Sequence, residues 1–162
     1  MTASELRQKT CCFAGHRDFP VYKTSYIAAQ TANQIRSLII NNEVRFFGVG
    51  GALGYDTLAA KVLFQLRKNE FPHIKVILVY PFLGFTSHWT AHQRSDFERM
   101  LPQYDKVVCV SEKASREAYL ARDRHLVDSS AYCITYCTRG YGGTAYTVRY
   151  AQRQGLEVRN IV

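Results

Sequence analysis

The sequence predicts a single three-layer α/β domain over residues 1–162, built on a mostly parallel sheet. Three observations carry this reading. Short apolar runs alternate with segments whose apolar residues recur at helical spacing. The runs are near-continuous rather than alternating, as in strands covered on both faces. No repeat, low-complexity tract or linker divides the chain.

The elements follow in order. Cys11-Cys12-Phe13-Ala14 reads as a buried strand ending at Gly15. From Thr24, the residues Ile27, Ala28, Ile35, Leu38 and Ile39 mark one helix face, closed by Asn41-Asn42. Val44 to Val49 is a second strand. Leu58, Ala59, Val62, Leu63 and Leu66 form the next helical stripe, and Ile74 to Tyr80 a third strand stopped by Pro81. A helix over Ala91 to Leu101 leads to a fourth strand, Lys106 to Val110. Glu117 to Asp128 is helical and Ala131 to Cys137 is the fifth strand. Thr144 to Gln154 is a helix ended by Gly155, before a last strand from Leu156 to Val162.

Composition narrows the class. At 47% hydrophobic and 21% charged residues, the 162-residue chain is globular in character. No apolar run approaches the roughly 20 residues of a membrane span. Met1 to Lys9 is polar and lacks the apolar core of a secretory signal, so a cytoplasmic location is expected. Cys11, Cys12, Cys109, Cys133 and Cys137 all lie in apolar or aromatic stretches, as buried thiols do. Their odd number and spacing fit neither a disulfide framework nor a zinc knuckle. His88 and His92 are four apart, but no third ligand stands nearby, and neither a metal nor a cofactor is expected. The net charge of +8 favours an anionic partner. Lys and Arg form no block anywhere, which favours a solvated surface with extra Arg over a nucleic-acid footprint.

In parallel α/β sheets, ligands bind beyond the carboxyl ends of the strands, where strand order reverses. The distinctive residues fall there. Gly15-His16-Arg17 follows the first strand, and His16 and Arg17 are placed to contact a phosphate. Gly48 to Asp56 follows the second, with Gly50, Gly51, Ala52 and Gly54 ahead of a helix whose free N–H groups attract anions. Asp56, in the first turn, is suited either to a ribose hydroxyl or to the helix dipole. Pro81 to Trp89 follows the third strand, with Trp89 either stacked on a base or plugging the core. Arg139 to Thr144 follows the fifth, where Gly142 and Gly143 form a second glycine loop and Thr144 is a candidate N-cap or phosphate ligand.

Gly50-Gly51-Ala52-Leu53-Gly54-Tyr55-Asp56 and Gly142-Gly143-Thr144-Ala145 together resemble the SLOG superfamily, which joins the Smf/DprA DNA-processing proteins and the LOG phosphoribohydrolases. Cys12-Phe13-Ala14-Gly15-His16-Arg17, and Tyr119 to Arg124 continuing through Val127-Asp128, resemble its YpsA-like branch of small bacterial proteins. The resemblance runs from Cys11 to Ile161. It implies a Rossmann-like fold and a nucleotide-type ligand, such as a nucleoside phosphate or an ADP-ribose-like molecule. It also implies a link to bacterial cell division or stress, a possible protein partner and pairing through helices as a homodimer.

The resemblance also bears on catalysis. LOG enzymes cleave the N-glycosidic bond of nucleoside monophosphates with an arginine and with a glutamate three residues after the Gly-Thr. Arg122 or Arg124 can supply the arginine. They lie two apart and face different ways on a helix, and Arg124 fits the family position slightly better. Thr147 stands where the glutamate is required and cannot act as a base. A binding or sensor module is therefore expected, with Asp56 and Arg124 as the only catalytic candidates. The alternatives are a LOG-like hydrolase and a DprA-like nucleic-acid binder.

Overall fold

Every strand pairing in the molecule is parallel. The computed structural model describes residues 1–162, and its six strands are ordered β4-β3-β2-β1-β5-β6. They are β1 (Thr10–Gly15), β2 (Phe46–Val49), β3 (Lys75–Phe82), β4 (Lys106–Ser111), β5 (Tyr132–Tyr136) and β6 (Glu157–Asn160). Helices α2 (Thr24–Asn42), α3 (Tyr55–Asn69), α4 (Ala91–Met100), α5 (Arg116–Asp128) and α6 (Gly142–Arg153) alternate with them, after a short α1 (Ala3–Gln8). The domain is a three-layer, Rossmann-like α/β fold.

Two cores cover the two faces of the sheet. On one, Ile27, Ile35 and Leu38 of α2 and Ala59, Ala60 and Leu63 of α3 pack on Phe13, Phe47 and Val76. On the other, Leu126 and Val127 of α5 and Ala151 of α6 pack on Cys12, Ala14 and Cys133. Full burial of one such Leu or Ile side chain stabilises the fold by about 1.5–3 kcal/mol.

Strand order grows outward from β1 to β4 on one side, then resumes at β5 on the other side of β1. The switch point is therefore the crevice between the carboxyl ends of β1 and β5. The register places Gly15 opposite Tyr136 at that edge.

Three local expectations need correction, and one element was not anticipated. The strand carries through Pro81 to Phe82, because β2 ends opposite Leu78 and a missing N–H at 81 breaks no ladder bond on that side. The polar N-terminus forms α1, capped by the Thr2 side chain, although none of its residues is buried. Helix α6 starts at Gly142 with Tyr141 in the cap position, so Thr144 lies inside the first turn and is not the N-cap. Cys109 is exposed on the edge strand β4, and Cys137 is half-buried.

Candidate functional site

A cleft of about 480 Å³ opens at the strand switch. Its walls are Ala14 to Asp18 at the end of β1, one face of α5, and the start of α6 with Arg139 before it. Ala52 and Asp56, from the first glycine loop, complete the floor. A second hollow, of about 280 Å³, lies between α5 and the strands and is lined mainly by apolar groups such as Leu6, Ile77, Val79 and Val108. The cleft gathers charges of both signs: Arg17, Arg116, Arg122 and Arg139 with Asp18, Asp56 and Asp123.

Arg122 is the centre of the floor. Ala118, Arg122 and Leu126 are buried at intervals of four, so the arginine stands in the core-facing stripe of α5. Its Nε donates to Asp123 Oδ1 at 2.7 Å, and its Nη1 donates to the Gly50 carbonyl. A buried guanidinium needs such partners for its donors. It finds them in the first glycine loop.

Asp56 is 8% exposed and lines the cleft. Burial pushes its carboxyl up to about 6, against the opposing pull of the Arg122 charge. Oδ2 accepts a long hydrogen bond of 3.3 Å from the Ala52 N–H. Asp123 presents its second oxygen, Oδ2, to the Thr147 hydroxyl at 3.2 Å, and that hydroxyl is also 3.0 Å from the Gly143 carbonyl. Thr147 thus ties the acidic floor to the first turn of α6. On the wall, the Tyr119 ring meets the Arg17 guanidinium at 5.6 Å and that of Arg122 at 5.9 Å.

The glycines behave differently from one another. A Cβ at Gly50 would sit 2.8 Å from both Arg122 Nη1 and Asp56 Oδ2, and one at Gly51 would meet Leu78 at 2.8 Å. Gly54 has φ +79° and is backed by the main chain of Arg17, while Tyr55 N donates to the His16 carbonyl at 3.0 Å. Gly15 is covered by the Tyr55 ring. Gly140, Gly142 and Gly143 have no atom within 4 Å of the corresponding position.

Of the residues expected from sequence, Gly15, Arg17, Ala52, Asp56, Arg122, Gly143 and Thr144 line the cleft. Gly142 adjoins it at the helix start. Gly50, Gly51 and Gly54 pack against protein behind it. His16 lies outside: it is buried, and its Nε2 accepts a hydrogen bond of 2.8 Å from the Thr138 N–H. Its proton therefore sits on Nδ1, and burial holds its pKa below the usual value, with the Arg139 charge adding to the effect. Trp89 packs edge-on against Phe85 and Phe97 and borders a small side recess. Arg124 turns away from the cleft to Glu117 and the Tyr146 hydroxyl. Of the two arginines it is Arg122 that enters the cleft, because it shares the buried stripe.

Sequence reasoning did not assign Arg116, Tyr119 or Asp123 to the site, although Tyr119 and Asp123 lie in the arginine motif. The signal was their spacing: Arg116, Tyr119, Leu120 and Asp123 recur at i, i+3, i+4 and i+7, one face of α5.

A protein-family model, that of the YspA SLOG family, matches residues 12–159. The chain belongs to that family. It is 30% identical over 134 residues to the uncharacterized SPbeta prophage-derived protein YoqJ of Bacillus subtilis, covering 75% of this chain and 78% of that one. The UPF0398 protein ABC2016 of Shouchella clausii is 28% identical over 88 residues, 54% of this chain and 46% of its own length. Among solved structures, DNA processing protein A from Helicobacter pylori, described for its single-stranded DNA binding mode, matches with a TM-score of 0.65 at 17% identity. That match covers 94% of this chain and 64% of the other. DNA processing protein A from Streptococcus pneumoniae matches with a TM-score of 0.66 at 16% identity, over 92% and 48%. At these identities the structural likeness speaks for the fold. The SLOG chain spans about half the length of the Shouchella and Streptococcus proteins, and none of its helices is long and apolar enough to cross a membrane.

Proposed function

We propose that the cleft binds the phosphate end of a nucleotide or nucleotide-derived small molecule, and that the protein acts as a binding or sensor module. One observation carries the reading. The second glycine loop leaves open space over Gly140, Gly142 and Gly143 at the N-terminus of α6, beside Arg116 and Arg139. Unpaired N–H groups, a helix dipole and nearby guanidinium groups favour a phosphate there. The test is a thermal-shift panel of nucleotides, NAD and ADP-ribose on the intact chain, with mass spectrometry of each mixture. A nucleotide that raises the melting temperature and is recovered intact supports the reading. No shift from any phosphate-bearing nucleotide overturns it. Asp123 sets a carboxylate beside Thr147. Recovery of free base and sugar phosphate would therefore make the protein a hydrolase.

A second reading is single-strand nucleic-acid binding. It is favoured by the likeness in fold to DNA processing protein A and by Tyr141, exposed at the cleft rim with Arg139 at 5.4 Å over its ring. It predicts binding to a labelled oligonucleotide that weakens steeply with added salt.

A further inference from the structure

The layer that covers the second face of the sheet is incomplete. Helices α2, α3 and α4 pack on one face, whereas α5 and α6 alone supply the buried helical residues of the other. The starts of β3 and β4 on that second face lie under the last turn of α5 and the exposed Leu6 of α1, and the hollow of about 280 Å³ opens there. Close-packed interiors hold few voids larger than a water molecule. The Ile77, Val79 and Val108 side chains on its wall therefore lack partner atoms on one side. An apolar cavity of about 150 Å³ takes up one benzene, so this one has room for an apolar body about twice as large.

The mouth of the hollow carries one sign of charge. Lys106 lines it and stands opposite Ile77 in the ladder. Lys75, two residues before Ile77, shares that face at the strand start. Neither lysine is in an ion pair. No Asp or Glu lines the hollow, and His125, its other titratable group, is never an anion. The Ser129 hydroxyl adds a donor just beyond the end of α5. An apolar molecule seated there strips water from Lys106, a cost that is offset when the molecule brings an anion of its own.

We propose that this hollow is a second binding site, for a small amphiphile with an apolar body of about eight carbons and a carboxylate head. The body fills the space between α5 and the starts of β3 and β4. The carboxylate accepts hydrogen bonds from the Lys106 ammonium and the Ser129 hydroxyl at the mouth. A medium-chain fatty acid has this form. The hollow shares no lining residue with the cleft, so its occupancy is independent of the phosphate reading.

The experiment follows methyl signals of the intact chain, labelled at Ile, Leu and Val, by NMR during titration. The probes are hexanoate, octanoate, octanol and octylammonium. Octanoate should give saturable shifts at Leu6, Ile77, Val79 and Val108, while Ile35 and Val76 on the other face stay still. It should bind more than about tenfold tighter than hexanoate, through two further buried methylenes. It should bind about threefold tighter than octanol, with octylammonium weakest. Lys106→Met should bring octanoate and octanol level, and Val108→Trp, which plugs the hollow, should abolish every shift. Shifts spread over the whole chain, or none from any probe, overturn the site. Octanoate no tighter than hexanoate overturns the apolar body. Equal binding of octanoate, octanol and octylammonium overturns the carboxylate head. The wild-type titrations decide each of these without any variant having to fold.

Discussion

The two glycine loops look alike in sequence and serve different ends. Both join a strand to a helix at the same edge of the sheet, and both carry paired glycines. In the first, the space over Gly50 is filled by Arg122 and Asp56, and that over Gly51 by Leu78; Gly54 allows the loop to lie against the main chain of Arg17. In the second, the space over Gly140, Gly142 and Gly143 is empty, and Gly143 lines the cleft. Glycine can mean that the protein must come close or that a ligand must. Here the first loop is a packing device that aims Asp56 and Ala52, and the second is left open.

The sharpest way to break this contrast is Gly54→Ala. The substitution meets both a positive φ and the Arg17 main chain, with an expected loss of about 4 kcal/mol or more. No cooperative melting transition should survive in the purified variant. A near-normal melt would show that the first loop is not tightly packed. Arg122→Ala comes next, with an expected loss of about 3 kcal/mol, because the Gly50 carbonyl and Asp123 lose a charged partner. Urea titration measures it, and Arg122→Lys should recover little, since an ammonium cannot span both acceptors.

Asp56→Asn reads the same loop through pH. Burial raises the carboxyl from 3.8 to about 6, so between those values the folded chain holds a proton that the unfolded chain has released. Stability from this group therefore falls as pH rises through that window and stays lower above it. The variant should melt higher than wild type near pH 7.5, by up to about 3 kcal/mol, and show little gain near pH 3.5. A gain confined to acid would refute the assignment. The smallest effect on folding belongs to Gly143→Ala. Nothing crowds the site, and stability should change by less than about 1 kcal/mol. Its thermal shift with a bound nucleotide should shrink markedly, which would separate the open loop from the packed one in a single assay.

Much of the architecture was legible because parallel strands covered on both faces must be largely apolar, as the central strands β1, β2, β3 and β5 are, while the edge strands β4 and β6 bury no residue. Helix α1 was not legible: it buries nothing, so no periodic stripe betrays it. Nor did the glycine pattern separate the two loops, since what fills the space over a glycine comes from distant residues such as Leu78 and Arg122. The choice between Arg122 and Arg124 was open to local reasoning. An arginine placed at i+4 from Ala118 and i−4 from Leu126 must enter the core stripe, and a buried guanidinium calls for acceptors. Asp123 beside it was given no site role because a neighbouring acid reads as a surface charge until the helix face is known.

The bond between His16 and Thr138 joins the loop after β1 to the loop after β5, the two jaws of the cleft. A neutral imidazole makes that joint, and its surroundings keep it neutral at physiological acidity. The two loops are therefore tied to each other across the head of the cleft. Acid below the usual imidazole range, by placing a second proton on the ring, would remove this acceptor and leave the His16 N–H bond to the Tyr136 carbonyl as the nearest tie between the two loops.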